Sequence, residues 1–291
     1  MSTKDPSVAP TLSDLSAHAE KETAAVRVEL NGAPAGVDDL RYLVQTNYGH
    51  FTALRVEDGG VRGLNLHLDR LQHATRELFG SELDRERVRG YLRHAVADST
   101  RDLSVRINVF SRALDREHLD RAVETDVLII VAPASPPHAA PPLRLKSFRY
   151  ARDDAAIKHV GTFPLFRYRR LAQQSGFDDA VFVDENGIVS EGSIWNIGFV
   201  DRDGGIVWPD APQLDGVSMQ SLKSGLAGAG VPSVARTVRL AELATFRAAF
   251  FTNASVPVRP IASIDSCEFA GDDEAVQMLL RCYRSNPASS L

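Results

Sequence analysis

Five prolines fall within the eleven residues from Ala132 to Pro142, and they divide this chain in two. Proline has no backbone donor and a fixed φ, so neither a helix nor a central strand is expected to continue through APASPPHAAPP. With 291 residues there is enough chain for two domains. The expected organisation is a tail over 1–23, a small N-terminal domain over 24–131, a proline-rich linker over 132–142 and a larger C-terminal domain over 143–291.

On each side of the linker the apolar residues recur with the periods of strands and helices. Ala25–Leu30 alternates apolar and polar and runs into Asn31-Gly32, a strand entering a tight hairpin turn. Gly49–Glu57 reads as a strand with Asp58-Gly59-Gly60 as its turn. Leu66–Phe79 places Leu68, Leu71, His73/Ala74 and Leu78 at helical spacing, and Glu82–Asp98 reads as a second helix. Ser104–Phe110 and Thr125–Val131 read as strands. In the second half, strands are expected at Leu143–Phe148, Ala180–Asp184, Ile188–Glu191, Asn196–Val200 and Ala248–Thr252. Helices are expected at Pro164–Gln174, Met219–Ala227 and Asp273–Tyr283. No repeat of 20–50 residues is visible. The pattern is α+β, with much antiparallel sheet.

Composition narrows the function classes. A formal charge of -5 with no basic stripe argues against a nucleic-acid or acidic-lipid partner. No apolar run approaches the ~20 residues of a membrane helix. Met1–Glu22 lacks an apolar core, so a secretory signal is not expected there. The two cysteines, Cys267 and Cys282, fit neither a disulfide framework nor a zinc site, as expected of free thiols in a reducing cytoplasm.

Several residues could carry chemistry, each with a plainer reading beside it. Lys158, in DDAAIKHVGTF, follows a strand and precedes a helix; by position alone it is a solvated surface charge. Glu191, ahead of Gly192-Ser193, is equally a turn residue, and Arg70 a solvent-facing charge on its helix. Leu214-Asp215-Gly216-Val217-Ser218 precedes a helix. It reads either as a phosphate cradle of backbone N–H groups or as an ordinary capped helix start.

Taken together and in order, these segments resemble the class IV aminotransferases. His67, Arg70 and Leu71 match an H-x-x-R-L helix start. Ile157–Phe163 resembles the family's lysine segment, and Gly176–Val200 its longest signature, with a G-x-D-[ED]-A strand, a D-x-x-G turn, V-x-E-G and a closing Asn. Gln213–Leu222 resembles the phosphate-cup turn, and Phe250–Ile261 the late strand and loop that close the site. The resemblance implies a two-domain fold-type IV enzyme, normally a homodimer, that uses pyridoxal 5′-phosphate (PLP). It implies Lys158 as the Schiff-base lysine, Glu191 as the carboxylate on the pyridine nitrogen and Arg70 as the grip on the phosphate. Val217 and Ser218 correspond to the cup, and Asn253, Ala254 and Ser255 lie where the family places further phosphate contacts. Those roles suit the residue types. A lysine must be neutral to be a nucleophile, a carboxylate keeps the ring nitrogen protonated, and a phosphate needs an arginine fork and convergent N–H groups.

The sequence also departs from the pattern. Many members carry a tyrosine five residues after the lysine, where this chain has Phe163, and Thr162 replaces the neighbouring asparagine. Phe51-Thr52-Ala53, Lys158-His159 and Asn253-Ala254…Pro257-Val258 are similar to 4-amino-4-deoxychorismate lyase within the family. The first reading is therefore a transaminase acting on an amino donor and a keto acid. The second is that lyase, which releases pyruvate and an aromatic amine without an acceptor. The third is a non-catalytic binding protein on the same fold, against which the retention of Lys158, Glu191 and Arg70 speaks. For the cation that a substrate carboxylate needs, Arg106, Arg112 and His50 are candidates. Trp195 is either a pocket wall or a core residue.

Overall fold

The computed structural model describes residues 26–135 and 141–291; the expected tail, Ala25 at the start of the first expected strand, and 136–140 of the proline stretch lie outside them. The first half opens with β1 (Arg27–Leu30) and β2 (Ala33–Pro34), antiparallel across Asn31-Gly32. Both turn residues have positive φ, 51° and 83°, as the primed hairpin turns require. A short helix that the apolar period did not reveal, α1 (Val37–Thr46), follows. It buries no residue fully and lays Leu40 and Leu43 against Leu30, Phe110 and Leu128. Next come β3 (His50–Val56), β4 (Gly60–Arg62), α2 (Leu64–Phe79), α3 (Arg85–Val96), β5 (Leu103–Phe110) and β6 (Asp126–Pro133).

These strands form a five-stranded antiparallel sheet in the order β2-β1-β6-β5-β3. Alternate residues Val105, Ile107, Val109, Val127, Ile129 and Val131 face α2 and α3 and pack with Leu64, Leu68, Leu71, Val88 and Leu92 into one core. Within α2 the buried stripe ends on Phe79, while His73 is exposed and Leu78 half-buried. Strand β6 runs two residues past its expected end at Val131, into the proline stretch, and stops at Pro133. Beyond Val131 it pairs only with β5, so Pro133 lacks no partner for the donor it does not have.

In the second half β7 (Leu143–Arg149) leads through α4 (Phe163–Gln174) to β8 (Asp179–Val183), a right-sized crossover between parallel neighbours. Then follow β9 (Val189–Gly192), β10 (Asn196–Val200), β11 (Ile206–Pro209), α5 (Val217–Gly228) and β12 (Ser233–Arg236). A 3₁₀ turn (Leu240–Thr245), β13 (Ala248–Thr252), β14 (Arg259–Ile264), β15 (Cys267–Glu268), α6 (Asp273–Arg284) and β16 (Ala288–Ser290) complete the chain. The sheet runs β12-β11-β10-β13-β14-β7-β8-β9, and β9 also pairs with β10 through Asn196 and Glu191, so six strands close into a barrel-like ring. Strands β8, β10, β11 and β13 are buried along their whole length. One face feeds a core of Phe199, Phe251 and Trp195; the other packs Trp208 and Phe250 against α5 and α6. The α+β class is thus as expected. The short strands β11, β12, β14, β15 and β16 are not visible in the apolar pattern.

Candidate active site

Lys158 is placed by the first sheet although it belongs to the second half. Strand β3 is the edge of that sheet, and its open groups capture the lysine segment: Phe51 N–H donates to the Lys158 carbonyl at 2.9 Å, and Val160 N–H donates to the Gly49 carbonyl at 2.9 Å. An unpaired strand edge is a row of free donors and acceptors, and here those groups hold the segment in register. The Lys158 ammonium nitrogen lies 5.0 Å from the centre of the Phe51 ring. Burial first, then the positive charges of Arg70 and Arg152, lower its pKa to about 7, against the opposing pull of Glu191.

Across the cavity, Glu191 sits at the end of β9, 4% exposed. One carboxylate oxygen accepts from the Leu214 N–H at 3.2 Å; the other, Oε1, is buried without a hydrogen-bond partner. Burial raises the Glu191 pKa, opposed by Arg152 and by the Leu214 N–H. The Arg152 guanidinium lies 3.8 Å from Oε1 and donates to the carbonyls of Ala155 (3.1 Å) and Ile157 (2.5 Å), in the turn that leads to Lys158. Arg152 therefore ties the carboxylate to the lysine loop. Sequence reasoning missed it, because nothing in FRYARDD separates this arginine from the exposed Arg149 three residues earlier.

The third part is the N-terminus of α5. Gly216 precedes it, no side chain caps it, and the first intrahelical bond there is from Gln220 to the Gly216 carbonyl. The N–H groups of Val217, Ser218 and Met219 thus have no partner within the helix. A side chain at position 216 would put its Cβ 1.9 Å from Asn196 Oδ1, so glycine is required. Asn196 in turn donates to Gln213 Oε1 (2.9 Å) and the Leu214 carbonyl (2.7 Å), fixing the loop. Arg70 reaches this loop from α2 and donates to the Asp215 carbonyl at 2.8 Å; burial lowers its pKa to about 10.

These groups line one cavity of about 240 Å³. Its walls carry three arginines, Arg70, Arg106 and Arg152, together with Lys158, against one carboxylate, Glu191. Such a surplus suits an anion with more than one charged group. Of the other sequence candidates, Asn253, Ala254 and Ser255 border the same cavity. The Asn253 side-chain oxygen, however, accepts from the N–H groups of Ser255 (2.9 Å) and Val256 (2.8 Å) and is spent on its own loop. Trp195 is both wall and core: it lines the cavity, stacks on Phe251 at 5.7 Å and donates to Asp179 at 3.1 Å. Asp179 also accepts from the Ser193 hydroxyl at 2.5 Å, so one buried carboxylate anchors the whole turn after Glu191.

Of the three carboxylate-binding candidates, the fold brings only Arg106 to the cavity. It stands opposite Ala53 across β3 and β5, with its guanidinium 3.5 Å from the centre of the Phe51 ring and its Nε on Asn108. Arg112 points elsewhere, into ion pairs with Asp39 (2.8 Å) and Asp126 (3.0 Å). Those residues border a wider depression of mixed charge, of about 790 Å³, which holds none of the groups above. His50 is fully buried with Nε2 on Thr75 at 3.0 Å, and burial drives its pKa to about 3, so it offers no positive charge. Phe163 is 76% exposed at the start of α4 and does not line the cavity; Thr162, Leu165 and Phe166 do.

The donor set fits PLP. The orphaned Oε1 of Glu191 suits a protonated ring nitrogen, the uncapped α5 start and Arg70 suit a phosphate, and Lys158 lines the same cavity with a pKa low enough, about 7, for the free amine to be available near neutral pH.

The family model for amino-transferase class IV matches residues 49–264, most of the chain. A probable branched-chain-amino-acid aminotransferase from Synechocystis sp. (strain ATCC 27184 / PCC 6803 / Kazusa) is 29% identical over 110 residues, 37% of this chain and only 36% of that protein. One of the same description from Rickettsia bellii (strain RML369-C) is 24% identical over 241 residues, covering 79% of this chain and 83% of its own. Among solved structures, the PLP-bound form of a hypothetical aminotransferase from Mycobacterium tuberculosis shares the fold. Its TM-score is 0.76, at 18% identity, over 90% of this chain and all of the other.

Proposed function

The chain belongs to the class IV amino-transferase family, and from this we propose that it moves an amino group between an amino acid or amine and a keto acid, using PLP attached at Lys158. The observation that carries the reading is the Glu191 carboxylate, buried on a cation-rich cavity with one oxygen that accepts no hydrogen bond and has only the Arg152 charge, 3.8 Å away, beside it. A buried carboxylate without a partner is costly unless a ligand completes it.

Bound in this cavity, PLP would supply an electrophilic carbon for the amine and a ring that withdraws electrons. The chain's residues do the rest. Glu191 Oε1 would accept from a protonated ring nitrogen and keep the proton there. Arg70 and the N–H groups of Val217 and Ser218 hold the phosphate, with the loop of Asn253, Ala254 and Ser255 as the opposite wall. Lys158 Nζ, whose pKa is lowered to about 7 so that much of it is the free amine at physiological pH, would be the attachment point for the cofactor and the base that moves the proton of the donor's α-carbon. Arg106, held in place by Phe51 and Asn108, receives the substrate carboxylate. Phe166, Leu165 and Trp195 exclude water from the exchange.

Relatives described as aminotransferases favour group transfer and do not favour the 4-amino-4-deoxychorismate lyase reading, which rested on three short local likenesses. A homodimer would cover the apolar side chains of Phe163 and Phe166, exposed beside the cavity. No helix among the described residues is long and apolar enough to cross a membrane, and Cys267 and Cys282 are free thiols, which supports a cytoplasmic location.

The test is the visible absorption of the purified protein with PLP, before and after a panel of amino donors is added without acceptor. A protein-bound cofactor band that bleaches with one donor supports the transfer reading and names the donor. Absence of a band sinks the cofactor assignment. A band that persists with every donor, with pyruvate released from an aminodeoxychorismate-type substrate, would restore the lyase.

A further inference from the structure

The two halves of the phosphate cradle come from opposite halves of the chain: Arg70 from α2, and the N–H groups of Val217 and Ser218 from α5. Their relative placement has to be set by something other than either element. The contact between them is tight. Gly63, the residue before α2, has φ +66°, and a Cβ there would lie 2.8 Å from Val217 Cγ1 and 3.4 Å from Ser221 Oγ.

The C-terminal residues close over this contact from behind. Helix α6 packs on α5 backbone to backbone, since a Cβ at Gly225 would lie 1.9 Å from the Cys282 carbonyl oxygen. The Asn286 amide then donates to Ser221 O (2.8 Å) in α5, and to Cys282 O (3.1 Å) and Tyr283 O (3.0 Å) at the end of α6. Arg62, the last residue of β4, donates to the carbonyls of Arg284 (3.1 Å) and Asn286 and lies over the Tyr283 ring. Beyond that, β16 pairs with β4, Ala288 opposite Arg62 and Ser290 opposite Gly60. Tyr283 and Ser218 share a small cavity of about 20 Å³ directly behind the cradle, with His67 and Ala254.

We propose that residues 282–290 form a hook that sets the spacing between Arg70 and the start of α5, with Asn286 and Arg62 as positioning residues for the phosphate cradle. The proposal rests on the PLP reading above. The hook touches the phosphate end of the site and none of Lys158, Glu191 or Arg106, so its loss should be felt by a phosphorylated ligand and not by its dephosphorylated counterpart. The Asn286 bonds run to backbone carbonyls of α5 and α6, so they fix helix position without adding charge to the cradle.

The experiment measures the affinity of the apo protein for PLP and for pyridoxal by absorption titration, in the parent and in Asn286→Ala, which changes no charge. Losing the amide that joins α5 to α6 is expected to weaken PLP about tenfold, the equivalent of one well-placed buried hydrogen bond, with pyridoxal changed by less than about twofold. Arg62→Gln should give the same selective loss. Equal losses for both ligands would mean a general effect on folding and would overturn the proposal, as would no change for PLP. If Asn286→Ala does not fold, Tyr283→Phe, which deletes one oxygen behind Ser218, is judged by the same PLP-to-pyridoxal ratio. A parent that binds no PLP would overturn the functional reading and the hook together. A parent that binds PLP tightly and variants that match it would overturn the hook alone.

Discussion

Arg152 and Glu191 form a buried pair, 3.8 Å apart and each with a side chain 6% exposed, in which the arginine also holds the carbonyls of the loop that carries Lys158. Removing one partner of a buried pair leaves the other uncompensated. Arg152→Ala is therefore expected to lower the unfolding free energy of the apo protein by about 3 kcal/mol in a urea titration. It should also weaken PLP binding, since Glu191 without its cation stays protonated to higher pH. Stability within about 0.5 kcal/mol of the parent would show the pair to be solvated.

The lowered pKa of Lys158 has a definite sign in stability. Its folded value, about 7, lies below the usual lysine range, near 10.5. Below pH 7 the ammonium is buried in the folded state and the penalty is complete. Between about 7 and 10.5 the folded state has released the proton that the unfolded chain still holds, so stability rises with pH. The apo protein should resist urea better at pH 9 than at pH 7 by a margin that Lys158→Met abolishes. The rate at which apo protein takes up PLP should rise through pH 7 for the same reason. A slope unchanged in Lys158→Met would assign the effect to other groups.

His67 behaves in the opposite pH range. Burial, then the charges of Arg70 and Lys158, hold its pKa at about 3, and it stays neutral on the Thr52 hydroxyl at 2.6 Å. Its folded pKa is depressed below the ordinary 6.5, so the stability it permits is complete above pH 6.5 and is lost progressively as pH falls towards 3. His67→Gln should unfold less steeply between pH 6 and 4 than the parent, measured by far-UV circular dichroism. Superimposable acid transitions would contradict this.

Gly216 admits no Cβ, because Asn196 Oδ1 would lie 1.9 Å from it. Gly216→Ala should displace Asn196 from Gln213 and Leu214, cost about 2 kcal/mol of stability as an overpacked site does, and weaken PLP more than pyridoxal. Unchanged PLP affinity would mean that the cradle does not depend on this loop.

Phe163 occupies the place of the tyrosine common in the family, yet its ring is 76% exposed and off the cavity. Phe163→Tyr should change turnover by less than about twofold, as an ordinary surface substitution does. A large gain would show that the ring swings into the site in the active assembly.

Much of the fold was legible in the chain. Ala248–Thr252 and Asn196–Val200 read as strands with the bounds they have, because five consecutive buried residues leave no other element short enough. Asn31-Gly32 announced its hairpin because few residues accept positive φ at both turn positions. Helix α1 was not read from the chain: its apolar face is short, resting on Leu40 and Leu43, and none of its ten residues is fully buried. Strands of two to four residues, such as β12 and β16, are defined by their partners and leave no periodic trace.

The site divides along the same line. Sequence alone determined which residue types stand in which order, and the resemblance carried by that order pointed to Lys158, Glu191, Arg70, Val217 and Ser218, which the fold brings to one cavity. It could not separate Arg106 from Arg112, because the two differ only in which face of the sheet or which loop they leave, and pairing with β3 turns one to the cavity while Asp39 and Asp126 hold the other outside. Nor could it find Arg152, an arginine among arginines until the fold buries it beside Glu191. Only tertiary structure decides such cases. The charge, pKa and reach of a side chain depend on groups dozens of residues away, and those distances exist only once the chain has closed on itself.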